Sequence, residues 1–335
     1  MKRNQFIVSM GASVISLLSG SSHKVTLAQI ARNSGKGMIP RKAIVPAALT
    51  PIDEDGKVDI VEFKRHMRTL ADVRGVSAIM VNGGSGHDKT LTRDERRKLL
   101  YEALATVGDR VPIIAAIRES EECPTLEPLA KDVQREGAYA MTIMPPASDE
   151  GFLWEFARKR FDDACSASSL PVVIYQSRYA TETLSQLANL PPVFAVKEGS
   201  KDPSTFERNM RALHSLGKDV AVWSTHSKWL LADLATGADG ILSGMGSVAA
   251  DLHVALAEAV EASDLTVARQ INDLIFPLSQ VFYRPGQDAH VRMKYALKKL
   301  GRQRHDFVRP PFQPVNQVER LAIDNALLES GLLKN

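Results

Sequence analysis

Lys197 closes the short apolar run "VFAVKEG" (193–199). A lysine at the end of a buried strand is either neutralised by an acid or has chemical work to do. Its amine, with an unperturbed pKa near ~10.4, is normally protonated and useless as a nucleophile. Desolvation disfavours the ammonium form and frees the lone pair to attack a carbonyl. The imine so formed, once protonated, is an electron sink for making or breaking the neighbouring bond. Glu198 is adjacent along the strand and therefore points to the opposite face, so it is not the expected partner. Tyr175 ends the preceding apolar run, "PVVIYQ" (171–176). If consecutive strands pair, its phenol stands beside Lys197 and can move protons to and from a bound substrate. Alone it would read as a packing tyrosine, a common strand residue.

A second group of residues suits binding. "NGGSGH" (82–87) places Gly83, Gly84 and Gly86 around Ser85. Glycines permit close backbone approach, and several N–H groups there can converge on one anionic group. The spacing is neither a P-loop nor G-x-G-x-x-G, so a carboxylate fits better than a nucleotide; a plain tight turn is the alternative. Arg178 and His226 are candidates for gripping the far end of a polar substrate, against the reading of solvated rim residues. No His, Asp or Glu spacing, His87-Asp88 included, matches a zinc site or facial triad, and no metal is expected.

These residues need a scaffold, and the chain supplies a repeating one. Eight apolar runs recur: 43–49, 77–83, 111–117, 139–146, 171–176, 193–199, 219–225 and 239–245. They are continuous rather than alternating, as parallel strands covered on both faces should be. Between them lie helical segments opening on the apparent capping boxes Asp59/Glu62, Thr92/Glu95 and Ser204/Glu207. Phe63, Met67 and Leu70 mark the apolar face of the first, and Gly75, Gly137, Gly217 and Gly237 fall where such helices should stop. Strand then helix, eight times over, predicts a (β/α)₈ TIM barrel in residues 41–246, with a doubly wound sheet as runner-up. Residues 247–335 exceed the closing helix and predict a C-terminal helical extension of about three further helices. Barrel enzymes place their chemistry at the C-terminal ends of the strands. That rule selects Thr50, residues 83–87, Arg118, Ala147 and Ser148, then 175–178, 197–200, Thr225 with His226, and Ser243.

Composition excludes several classes. A hydrophobic content of 44% and charged content of 24% over 335 residues are those of an ordinary globular protein. The net charge of +3 is dispersed, with no basic stripe for nucleic acid. Cys123 and Cys165 form neither metal-ligand spacing nor a disulfide framework. The opening "MKRNQFIVSMGASVISLLSG" has Lys2 and Arg3, a mildly apolar run and then small residues, the layout of an export signal. It is too short and too rich in Ser and Gly for a stable anchor, so no membrane association is expected of the mature form. An exported, periplasmic protein is the expectation; an unstructured extension of a cytoplasmic one is the alternative. Residues 1–40 are set apart from the fold as signal and linker.

The motifs "ALTPIDEDGKVD" (48–59), "VNGGSG" (81–86), "VVIYQ" (172–176), "VFAVKEGS" (193–200) and "GADGILSG" (237–244) follow one another in order. This set resembles the dihydrodipicolinate synthase/N-acetylneuraminate lyase superfamily, over roughly residues 43 to 333. The resemblance implies a Schiff-base aldolase or lyase on a (β/α)₈ barrel, with no cofactor and a dimeric or tetrameric assembly. It implies that Lys197 forms the imine, that Tyr175 relays protons, and that Gly84 and Ser85, within 83–86, hold a pyruvate carboxylate. Thr225 and His226, in "STHS" (224–227), together with Leu242 and Ser243, then line the pocket. The chain departs from the pattern in four places. Gly84 stands for the loop's first hydroxyl, His87 for its glutamate, Ala147-Ser148 for a pair of aromatics, and "QSRYA" for the continuation after Tyr175. The reading is a lyase or aldolase acting on a 2-oxo acid, dihydrodipicolinate synthase-like but not a true synthase. The alternatives are a non-catalytic 2-oxo acid binder on the same fold and a phosphate-binding barrel using "GADGILSG".

Overall fold

Each apolar run folds as a short strand: β1 (Ile44–Pro46), β2 (Ile79–Val81), β3 (Ile113–Ile117), β4 (Ala140–Ile143), β5 (Val172–Gln176), β6 (Val193–Glu198), β7 (Ala221–Ser224) and β8 (Gly240–Ser243). The computed structural model describes residues 38–200 and 202–334, so the export-like segment lies outside the described residues. Every ladder is parallel, sequence neighbours pair from β2 to β8, and β8 returns to β1. Single bridges, Ile44 to Val76 and Ala47 to Met80, complete the ring between β1 and β2. The expected barrel is the observed one.

Helices α1 (Ile60–Ala71), α2 (Arg93–Val107), α3 (Glu127–Glu136), α4 (Trp154–Ala167), α5 (Thr181–Ala188), α6 (Pro203–His214) and α7 (Leu230–Thr236) alternate with the strands. Thr92 and Glu95 form the full capping box at α2. At α1 Asp59 accepts from the Glu62 N–H, but Glu62 is drawn off to the backbone of Arg304 in the extension, so half the box forms. The box expected at Ser204 does not form. Asp202 caps α6, with Pro203 at its first turn, because proline is pre-set for that position. Gly137 and Gly237 are left-handed C-caps as expected, whereas α1 and α6 end at Asp72 and Ser215, short of Gly75 and Gly217.

Helix α8 (Gly246–Glu261) closes the barrel, and α9 (Leu265–Phe282), α10 (Ala289–Lys299) and α11 (Gln317–Glu329) pack beside it. Among the described residues no helix is long and apolar enough to cross a membrane. The loop from α9 to α10 is fixed by Arg292, fully buried. Its guanidinium donates to the carbonyls of Phe282, Arg284 and Gln287 and forms an ion pair with Glu319.

Small residues fill much of the barrel interior: Ala43, Ala47, Ala78, Ala116, Ala140, Ala195 and Ala221 sit around Met80, Val173, Trp223 and Leu242. The Trp223 indole donates to the Arg41 carbonyl and meets Phe194 edge-on, which closes the end of the barrel where the strands begin. The opposite end keeps its polar groups. At the seam, a Cβ on Gly240 would lie 2.1 Å from the Ala43 carbonyl oxygen, which accepts the Ile241 ladder bond. Gly240→Ala should therefore push β8 off β1 and lower stability by about 3 kcal/mol. A lower urea midpoint with an unchanged slope is the expected result.

Candidate active site

Tyr175 and Lys197 are paired residues on β5 and β6. Both follow residues that point into the barrel by two positions, Val173 and Ala195, so the strand alternation turns both inward. The Lys197 amine lies 4.1 Å from the centre of the Tyr175 ring, and Lys197 is 4% exposed. Burial pushes the amine down to about 7; the nearby Asp88 carboxylate pulls it up and the Arg118 guanidinium pushes it down. Burial, reinforced by the Tyr283 phenol, raises Tyr175 to about 12. At neutral pH the site thus holds an amine with a substantial free-base fraction beside a phenol that keeps its proton. Glu198, as expected from the alternation, faces away: its carboxylate accepts from the Asn209 side chain and the Ser200 N–H.

The loop after β2 turns in two tight helical steps, Gly84–Gly86 and Asp88–Thr90, hinged at His87. Asn82 (φ 59°) and His87 (φ 55°) flank it in the left-handed region, where non-glycine residues carry strain that surrounding contacts must hold. Those contacts are present. Asn82 donates to the Arg96 carbonyl, and the buried Arg96 guanidinium donates to the carbonyls of Asp88 and Arg118. Arg118 in turn bonds the buried Asp88 carboxylate at 2.5 Å. Ser85 is 4% exposed, and its Oγ stands 2.6 Å from where a Cβ on Gly244 would lie. Thr50 packs Oγ1 in the same way against Gly86.

The other expected site residues divide. Gly199 lets the Tyr175 ring and the Thr225 methyl close to 2.9 and 3.0 Å of its notional Cβ, which brings Thr225 to the mouth. Leu242 lies within the barrel interior. Ser243 Oγ is 2.7 Å from Ser227 Oγ, which donates to the Tyr283 phenol. Two residues are not brought to this centre. His226 turns into the layer between barrel and helices, between Phe206 and Trp229, with Nδ1 2.9 Å from Asp233. Arg178 lies half exposed on the rim, paired with Asp149 and stacked 4.5 Å over Phe152. Ala147 is exposed, as is Ser148.

Four residues at or near the mouth had no local sequence signal: Asp88, Tyr283, Asp288 and His290. The last three come from the extension, and a chain segment of no particular periodicity carries them. The donor atoms of His87, Asp288 and His290 lie within 4.8 Å of one another, a set that suits a divalent transition ion. Asp288 Oδ1 already accepts the His87 Nε2–H at 3.0 Å and the backbone N–H groups of His290 and Val291. The oxygen that both imidazoles approach is therefore saturated by N–H donors, which favours a hydrogen-bonded cluster over a metal centre.

Comparison with known proteins agrees with this geometry. The Dihydrodipicolinate synthetase family model matches residues 40–330. The 4-hydroxy-tetrahydrodipicolinate synthase of Bartonella bacilliformis is 29% identical over 305 residues, covering 88% of this chain and 99% of that one. Dihydrodipicolinate synthase from Thermotoga maritima superposes with a TM-score of 0.79 at 25% identity, over 87% of this chain and 99% of its own. The chloride-inhibited enzyme of Acinetobacter baumannii, complexed with pyruvate, gives 0.78 at 22% identity, over 88% of this chain and all of its own. A family match over most of the chain, on a barrel of the same architecture, makes this protein a divergent member of the dihydrodipicolinate synthetase family.

Proposed function

We propose that the protein is a lyase or aldolase that handles a 2-oxo acid through an imine on Lys197. One observation carries this reading: a buried amine brought down to about 7 lies 4.1 Å from the ring of a phenol raised to about 12. The amine lone pair adds to C2 of the substrate while the Tyr175 phenol protonates the carbonyl oxygen. Tyr175 then recovers a proton from the substituted nitrogen and passes it to the new hydroxyl, which leaves as water to give the protonated imine. The electrons of a broken C3–C4 or C3–H bond flow into that nitrogen; C3 of the resulting enamine then takes up a proton or a carbonyl carbon, and hydrolysis of the restored imine frees the lysine. Ser85 and the N–H groups of its loop hold the carboxylate.

The named relatives and the pyruvate complex of the A. baumannii enzyme support a pyruvate-like substrate. Gly84 offers no hydroxyl, and Ala147 with Ser148 offers no aromatic, which argues for a substrate other than that of the synthases. A homo-oligomer is the assembly we infer from the family. Borohydride reduction in the presence of pyruvate and a panel of longer 2-oxo acids should add covalent mass at Lys197, and none in Lys197→Ala. No adduct with any of them would leave the non-catalytic binder.

A further inference from the structure

We propose that His290, delivered by the C-terminal extension, is a second contact for the substrate carboxylate beside Ser85. The inference rests on the 2-oxo acid reading above and concerns the carboxylate end of that same site. A Cβ built on Gly244 would lie 2.6 Å from Ser85 Oγ and 3.0 Å from His290 Nε2. Two atoms so placed about one point stand no more than 5.6 Å apart. Two hydrogen bonds of about 2.8 Å each span that separation, so a carboxylate lodged between hydroxyl and imidazole reaches both. A side chain at Gly244 would collide with both atoms, so glycine there is what lets hydroxyl and imidazole stand side by side.

The ring is aimed by a built support. Asp288 caps α10 and accepts the backbone N–H of His290 at 2.8 Å, and the same oxygen lies 3.3 Å from His290 Nδ1. Nδ1 is enclosed and makes no hydrogen bond, whereas Nε2 is turned to Gly244 and Ser85. The Asp288 oxygen also holds His87, whose ring stacks on Phe312 at 4.0 Å. One carboxylate thus ties the glycine-rich loop of the barrel to the start of α10. Burial would raise the Asp288 carboxyl, but the His87 hydrogen bond and the two imidazoles close to it outweigh burial and hold the group well below the usual carboxylate range. Pinning the extension needs only His87 and Asp288. It does not need Nε2 at the mouth.

The test uses the full chain and pyruvate itself. Calorimetric titration of pyruvate into Lys197→Ala, which cannot form the imine, is compared with Lys197→Ala/His290→Ala and Lys197→Ala/His290→Gln. Loss of a charge-assisted hydrogen bond should weaken binding ten- to a hundredfold in the alanine variant. Glutamine, which keeps an N–H at the Nε2 position, should restore most of it. On the Lys197 background, His290→Ala should raise the pyruvate concentration needed for half-maximal borohydride trapping by the same factor, and leave trapping of neutral hydroxyacetone unchanged. Equal pyruvate affinity with and without His290, or an equal loss for pyruvate and hydroxyacetone, overturns the proposal. Absence of any trapped adduct in the unaltered protein overturns the imine reading instead, and the calorimetric comparison still decides His290.

Discussion

Lys197→Met is expected to abolish turnover and at the same time make the protein more stable. The loss of rate should be at least ~10³-fold, the scale on which removing a covalent nucleophile acts. The gain in stability follows from burial. In the folded state the amine titrates near 7, whereas unfolded it titrates near ~10.4. The unfolded chain therefore binds more protons between those values, and stability rises with pH across that window. The penalty of the buried lysine is fully present below pH ~7 and fades as pH climbs towards ~10.4. Methionine, of similar length and apolar, should relieve on the order of 3 kcal/mol at pH 6 and little at pH 10. Urea unfolding at pH 6, 8 and 10 measures the difference. A constant offset between the two proteins at all three values would mean the amine is not desolvated, and the nucleophile argument would go with it. The same depression places the acid limb of imine formation near pH 7 rather than near 10.

Tyr175→Phe separates the phenol's chemistry from its packing. Phenylalanine keeps the ring over which the Lys197 amine lies and deletes only the hydroxyl. Raised to about 12, that hydroxyl is protonated throughout the working range, and it can both give a proton and take one back. Its removal should slow turnover by ~10²–10³-fold, the usual worth of positioned acid–base catalysis. The final yield of borohydride-trapped Lys197 should survive, reached more slowly. Stopped-flow measurement of imine formation against steady-state turnover reads both. An unchanged rate of imine formation and turnover would assign proton transfer to another group, and the Tyr283 phenol, linked to Ser227, is the one to replace next.

Much of the arrangement was readable from local pattern. Continuous apolar runs fit strands covered on both faces, and eight of them in alternation with helices favour a barrel over a doubly wound sheet. Lys197 stood out because a charged group at the end of such a run needs a reason. The failures have equally local causes. Ser204 looked like a cap, but Asp202 followed by Pro203 makes the better one, two residues earlier. His226 stands at a strand end like Lys197 and Tyr175, yet Asp233 on the following helix draws its ring outward, away from them. Asp288 could not be found at all, because what marks it is a contact with His87 across 201 residues.

The sequence by itself determined that an amine and a phenol would each stand at the end of a neighbouring strand. It did not determine that they would face each other. At the first pair Val172 is opposite Val193, and an unbroken register would set Tyr175 against Val196, on the other face of the sheet. A shift between Val172 and Val173 slips β6 by one residue, with Phe194 and Ala195 both taken into the interior. Tyr175 then meets Lys197. Because side chains alternate with period two, one extra residue decides which pair shares the barrel mouth. Phe194, at the slip, meets Trp223 edge-on in the interior, a contact that no spacing along the chain records.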